Sequence, residues 1–468
     1  MRPFPWLLVL LLGCAHVDPA ATDARSIRDE LDARLGFTPE MAGAAGLDPS
    51  IAAATEELLG SPLTEDAAVR IALLENRDVR AGLARFGIAR ADLVQAGLLR
   101  NPVFDGNAKF FIDGGTEVEL GLAQPFLDLF WRPLRQRIAE AEFHATRSML
   151  THELVDLAFA VRRGFVRLRA AQQLVGLQQR AVDTAVAAHA LMQQLHAAGN
   201  VTDVALAAER VTESRARLDL HAAERAAREA REPLQELLGL WGKHTQWTVT
   251  QQLDLEPLAG WDPTNLETRC VAASLDLQEQ RAYVDALAQR AGLESWRGWL
   301  PEANVGVAAK RDTADGWGLG PAVAFELPLF DRGAARQDRA AAALREGLQH
   351  HVQLAVQVRS AARLLRDRAT TLGDRLRFLR DTHLPLREDF VRKTLQHYNA
   401  MQIGAFDVLR ARQQQLADER EELYTLRDAH LVRLDLQELL AGGMPRHSLE
   451  PTWPEFGSSD ARATTGGH

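Results

Sequence analysis

The sequence predicts a mainly α chain with a β-barrel portion: long coiled-coil helices joined to four membrane-crossing strands, laid out as two repeats of one plan. Three observations predict it. From Leu134 to Ala198 no proline interrupts a helical pattern; about 65 residues of helix would run roughly 100 Å, far beyond the width of a globule. Two pairs of short stretches alternate apolar and polar residues with the period of a strand. The order helix, paired strands, long helix, glycine turn, helix occurs twice, about 200 residues apart, as an internal duplication would leave it.

The elements follow in order. Met1-Arg2 and the apolar run WLLVLLL (Trp6 to Leu12) lead to Leu11-Leu12-Gly13-Cys14, the pattern at which bacterial lipoprotein signals are cut before an acylated cysteine. The run is too short to cross a bilayer, so 1–13 reads as a signal peptide, Cys14 as the lipidated residue and 14–62 as a leader. The first repeat, 63–240, opens on a helix that Asn101-Pro102 stops. A hairpin at 103–124, a long helix at 132–198 and a helix at 202–238 complete it. A connector at 241–263 carries Gly, Pro and Trp without helical period and one short strand at Trp247-Thr248-Val249. The second repeat, 264–441, has a helix to Gly292, a hairpin at 303–327, a long helix at 332–401 and a helix at 405–441. Pro385 should kink or loosen its long helix. Residues 442–468 read as a disordered tail.

In the first strand Phe104, Gly106, Ala108 and Phe110 share one side, and Asp105, Asn107 and Lys109 the other. Val118, Leu120 and Leu122 oppose Glu117 and Glu119 in the second; the third and fourth alternate likewise. Each stretch has the length of a tilted membrane strand. Aromatics flank the hairpins as interfacial residues do: Phe126, Phe130 and Trp131 after the first, Trp296 and Trp299 before the second. Four strands close no barrel, and an open sheet edge is not tolerated in lipid. A membrane reading therefore demands assembly with copies of the chain, with Asp105, Asn107, Lys109, Glu117 and Glu119 toward the lumen.

The formal net charge of −9 argues against a nucleic-acid partner. No HExxH, P-loop, GxSxG or CxxC pattern is present, so neither an enzyme nor a cofactor is expected. With Cys14 lipidated, Cys270 has no disulfide partner and reads as a small apolar residue of a helix. His397 and Met401 stand one helical turn apart, too few ligands for a metal site.

With these elements in hand, the sequence resembles the TolC family of outer-membrane efflux proteins, its lipoprotein branch in particular. The likeness covers about 60–441; LTEDAAVRIALLENRDVRAGLA followed by LLRNP resembles the family's first helix, and Tyr398-Asn399-Ala400 to Asp407-Val408-Leu409 its second periplasmic turn. The resemblance implies a homotrimer in the outer membrane, with one twelve-stranded barrel and a helical tube extending into the periplasm. It implies a passive exit duct for small solutes that works with a periplasmic adaptor protein and an inner-membrane pump. It places Gly199, Asn200, Val201, Thr202, Gly404, Ala405 and Phe406 at the periplasmic tip, where the adaptor docks, and Asp407 and Arg410 at the constriction. Two positions depart from the family pattern: Met401 stands where a glycine is usual, and Arg410 where a second carboxylate is usual. An Asp–Arg pairing between helices would lock the closed end. The competing reading is a periplasmic adaptor or other helical scaffold lipoprotein, against which the chain shows only two hairpins.

Overall fold

The computed structural model describes residues 20–37, 49–112, 115–249, 252–297, 303–312, 316–325 and 330–446. Cys14 and its signal run, Trp299, Leu327 and residues 447–468 of the tail lie outside them. The described chain is mainly helical with one small antiparallel sheet. Its elements are α1 (Ala20–Leu35), α2 (Pro49–Leu59), α3 (Glu65–Glu75), α4 (Arg77–Ala96), β1 (Val103–Phe110), β2 (Thr116–Pro125), α5 (Asp128–Ala197) and α6 (Asp203–Leu238). After a short 3₁₀ turn at Gly242–Thr245 come α7 (Leu266–Ala273), α8 (Leu275–Arg297), β3 (Ala303–Asp312), β4 (Gly316–Phe325) and α9 (Ala334–Phe378). A π turn at Leu379–His383 leads into α10 (Leu384–Asn399), and α11 (Ala405–Ala441) ends the helices.

Several boundaries differ from the sequence reading, each for a local reason. The opening helix is two: Asn76 stops α3, and its side chain accepts the Asp78 N–H at 2.8 Å to cap α4. The same break separates α7 from α8, where the Ser274 hydroxyl accepts the Leu277 N–H at 3.3 Å. The long helix α5 begins at Asp128, before Pro133, and not at 132. Proline so near a helix start removes a donor from the first turns, where few intrahelical bonds are lost. Asp128 accepts the Arg100 N–H at 3.2 Å and pairs with Arg135, and the Arg135 hydrogen bond and the two guanidinium charges hold its carboxyl below the usual range against the cost of desolvation. At Pro385 the helix loosens: the Leu384 N–H reaches back to the Leu379 carbonyl, a five-residue π step, just before the residue that can donate nothing. The connector forms no strand at Trp247–Val249; Thr248 contributes a single backbone bond, accepting from Leu63 N–H at 2.7 Å.

The chain divides into two compact units. The strand-bearing unit is built on Leu73–Val155 and Gln278–Gln349 with the N-terminal residues. Ile27 and Leu31 of α1 are fully buried there, Phe86 stacks on Phe143 at 4.9 Å, and Arg147 pairs with Glu30 at 3.3 Å. Gly82 of α4 lets α5 come close, since a Cβ there would meet Leu150 Cδ1 at 2.8 Å. The second unit is built on Ala53–Ala72, Asp156–Leu277 and the chain from His350. Phe159, Phe165, Leu168, Leu234 and Leu238 fill its core, and a second cluster joins Leu266 and Cys270 to Leu365, Leu436 and Leu439. Burial pushes the Cys270 thiol up to about 11, so it is an inert packing group.

Candidate functional site

The sheet runs β1-β2-β3-β4, all antiparallel. Its register decides the faces. Phe104 opposes Leu122 and Ala108 opposes Val118, Leu122 opposes Val307, Leu120 opposes Ala309, Val307 opposes Pro321 and Val305 opposes Val323. One face of all four strands is therefore apolar, and it is uncovered: Phe104 is 68 % exposed, Leu319 79 % and Phe325 62 %. Arg311 is the charge on that side, near the β3 end, with its guanidinium 6.0 Å from the Trp317 ring.

The opposite face gathers Asp105, Asn107, Lys109, Glu117 and Glu119, as the alternation requires. There Glu117 and Glu119 of β2 lie between two lysines. Lys109 of β1 is 3.3 Å from Glu117 and 4.0 Å from Glu119; Lys310 of β3 is 3.0 Å and 3.3 Å from the same pair. Lys310 completes this lattice and is missing from the lumen-facing set that the sequence predicts. Its signal was the cross-strand register, which alternation alone does not supply. Gly306 keeps β3 close to β2, because a Cβ at that position would sit 2.2 Å from the Leu122 carbonyl oxygen.

In the second unit two turns join helices. At the first, Gly199 is left-handed (φ 76°), the Asn200 N–H reaches the Leu195 carbonyl at 2.8 Å, and the Thr202 hydroxyl caps α6 by accepting the Ala205 N–H at 3.2 Å. Val201 completes the link, and His196 lies 2.6 Å from Asp203 across it. At the second, Met401 takes the left-handed place (φ 58°), the Gln402 N–H reaches the His397 carbonyl at 2.9 Å, and Gly404 precedes α11 with no side-chain cap. Ala405 and Phe406 open α11, and the Asp407 N–H donates to the Gly404 carbonyl at 3.2 Å.

Asp407 and Arg410 line one 610 Å³ cleft with His397 and Lys393. Both are exposed, and among the described residues neither forms an ion pair within the protomer. Among the described residues of one chain, the Asp–Arg pairing expected between helices is not formed. His397 Nδ1 is instead against the Gln402 side-chain oxygen, and Met401 is 94 % exposed.

The described residues thus combine a four-stranded sheet that has one bare apolar face with helices as long as the 70-residue α5. Residues 68–240 match the outer membrane efflux protein family. A membrane protein from Pseudomonas aeruginosa is similar over 81 % of this chain and 90 % of its own, at 17 % identity and a TM-score of 0.70. The outer-membrane channel OprN is similar at 18 % identity, 81 % and 90 % coverage and a TM-score of 0.68. The outer membrane protein VceC from Vibrio cholerae gives 14 %, 81 % and 96 %, and 0.66. At such identities the structural likeness is one of fold. No curated protein matches the sequence. The resemblance read from the sequence holds: residues 68–240 match the outer membrane efflux protein family, and the fold is that of these outer-membrane channels.

Proposed function

We propose that this chain is the outer-membrane exit duct of a tripartite efflux or export system and passively conducts small solutes from the periplasm to the exterior. The observation that carries the reading is the sheet: one uncovered apolar face across four strands, a charged face behind it, and an open edge at β1 and at β4. In lipid, unpaired edges cost too much to persist, so β4 of one copy pairs with β1 of the next. Three copies give twelve strands, with Asp105, Asn107, Lys109, Glu117 and Glu119 lining the lumen. The matching breaks at Asn76 and Ser274, each ahead of a helix that leads to a hairpin, support descent of the two halves from one repeat.

Acylated Cys14 anchors each chain to outer-membrane lipid. The turns at Gly199–Thr202 and Gly404–Phe406 form the periplasmic tip that meets an adaptor and, through it, an inner-membrane pump. Asp407 and Arg410, without an ion pair among the described residues, contribute to the constriction there through contacts between copies. The test is reconstitution of detergent-purified protein into planar bilayers. A heat-resistant trimer and a stable conductance are expected; a water-soluble monomer without conductance overturns the reading.

A further inference from the structure

On α9, Arg359, Arg363 and Arg366 follow one another at four and three residues, which stacks three guanidinium groups on one helix face. Like charges so spaced repel, so a helix keeps such a face for a reason. All three line a cleft of about 410 Å³ whose opposite wall is Glu267 and Thr268 of α7. Only one carboxylate in the lining answers them: Glu267 lies 3.0 Å from Arg363. Arg366 turns to its chain neighbour Asp367 at 3.1 Å, and Arg359 has no partner among the described residues.

The remaining groups are donors as well. Thr268 offers a hydroxyl, and Asn265, held left-handed at φ 51°, makes no side-chain cap on α7, whose Leu266 N–H turns back to the Pro263 carbonyl at 3.4 Å. The floor is rigid, because Val358, Ala362 and Leu266 belong to the buried core cluster. Planar guanidinium forks facing a hydroxyl across the cleft suit a tetrahedral oxyanion better than a monovalent halide. The volume holds a phosphate group together with a small organic part.

We propose that this cleft between α7 and α9 is a binding site for a phosphate-type oxyanion, with Arg359 and Arg363 as its principal donors and Thr268 as the third. The site is independent of the conduction reading, since none of these residues lies on the sheet or in the two turns. Its ligand is either the free ion or a phosphate monoester.

The experiment is ³¹P NMR titration of the full-length protein in detergent, at constant ionic strength in chloride, with inorganic phosphate and separately with glycerol phosphate. Saturable broadening is expected for at least one of them. The Arg359→Gln/Arg363→Gln double variant should bind at least about tenfold more weakly, while Arg228→Gln, an exposed arginine on α6, should bind normally. Thr268→Val, nearly isosteric, should cost about threefold and serves if the double variant assembles poorly. Tighter binding of glycerol phosphate identifies an esterified ligand, tighter inorganic phosphate the free ion; either supports the site. Binding that does not saturate, or that Thr268→Val and the double variant leave unchanged, overturns it.

Discussion

The two helices that pack their ends on α5 in the second unit do so by different physics. α6 closes on Gly164 with an apolar foot: Leu234 and Leu238 are fully buried, and a Cβ at Gly164 would lie 3.3 Å from Leu234 Cδ1. One residue earlier on α5, Arg163 takes the foot of α11, where Asp435 at 3.4 Å and Glu438 are both buried. His430, a little higher on α11, is also buried, with its Nε2 against the Asp254 carbonyl at 2.8 Å. The apolar foot is insensitive to its surroundings once dry. The ionic foot depends on every partner and on pH.

The largest expected effect separates the two. Arg163→Leu takes the guanidinium that Asp435 and Glu438 share away from two buried carboxylates and should cost about 3–5 kcal/mol, read as loss of denaturant stability at pH 8. Leu234→Ala opens a cavity and should cost about 2–5 kcal/mol. The distinction lies in pH: the Leu234→Ala loss should be the same at pH 8 and pH 5. The Arg163→Leu loss should shrink at pH 5, where Glu438 can take a proton and shed its charge. A pH-independent Arg163→Leu loss would remove the contrast.

Next in size is the pH slope of the wild-type chain. Burial pushes the Glu438 carboxyl up to about 7, against the attraction of Arg163. The folded state then holds a proton that the unfolded state releases between pH 4.5 and 7, so this contribution is present below 4.5 and lost as pH rises through 7. Burial drives His430 the other way, down to about 4 from 6.5. Its contribution is present above 6.5 and lost as pH falls toward 4. Between about 4.5 and 6.5 the two slopes oppose and nearly cancel. Glu438→Gln should expose the histidine alone, with stability rising by up to about 1.4 kcal/mol per pH unit across that window. A flat profile in the variant would mean that His430 is protonated in the folded chain.

None of this foot was legible in the sequence. Arg163 and Glu438 stand 275 positions apart, and no local pattern links them. The helical class and the small sheet were legible, because period and alternation are local properties of consecutive residues. The strand faces could be read from Phe104 to Phe110 alone, whereas the Lys109–Glu117–Lys310 lattice needed the pairing of β2 with β3. The helix breaks at Asn76 and Ser274 escaped because the apolar period continues through them; only a side chain turned to a backbone N–H ends each helix. The long helix α5 starts ahead of the expected 132, and Pro133 stands within it because proline near a helix start is tolerated where proline in its middle is not.

The smallest effects belong to the two turns, which share one backbone design with different residues. Gly199 and Met401 occupy equivalent left-handed places, each followed by an N–H that reaches back five residues. Three positions on, Thr202 caps its helix with a hydroxyl and Gly404 caps nothing. A methionine in the left-handed region costs about 1 kcal/mol that a glycine does not. Met401→Gly should therefore stabilise the second turn by about that amount, and Gly199→Ala should destabilise the first by a similar one. Gly404→Ser should add only a few tenths of a kcal/mol, because glycine is itself a tolerable N-cap. Hydrogen exchange at the Gln402 and Asn200 amides reads both turns separately. Slower exchange at Gln402 in Met401→Gly, with Asn200 unchanged, is the expected result. Faster exchange would mean that the methionine side chain, exposed as it is, offsets the backbone strain at the second turn.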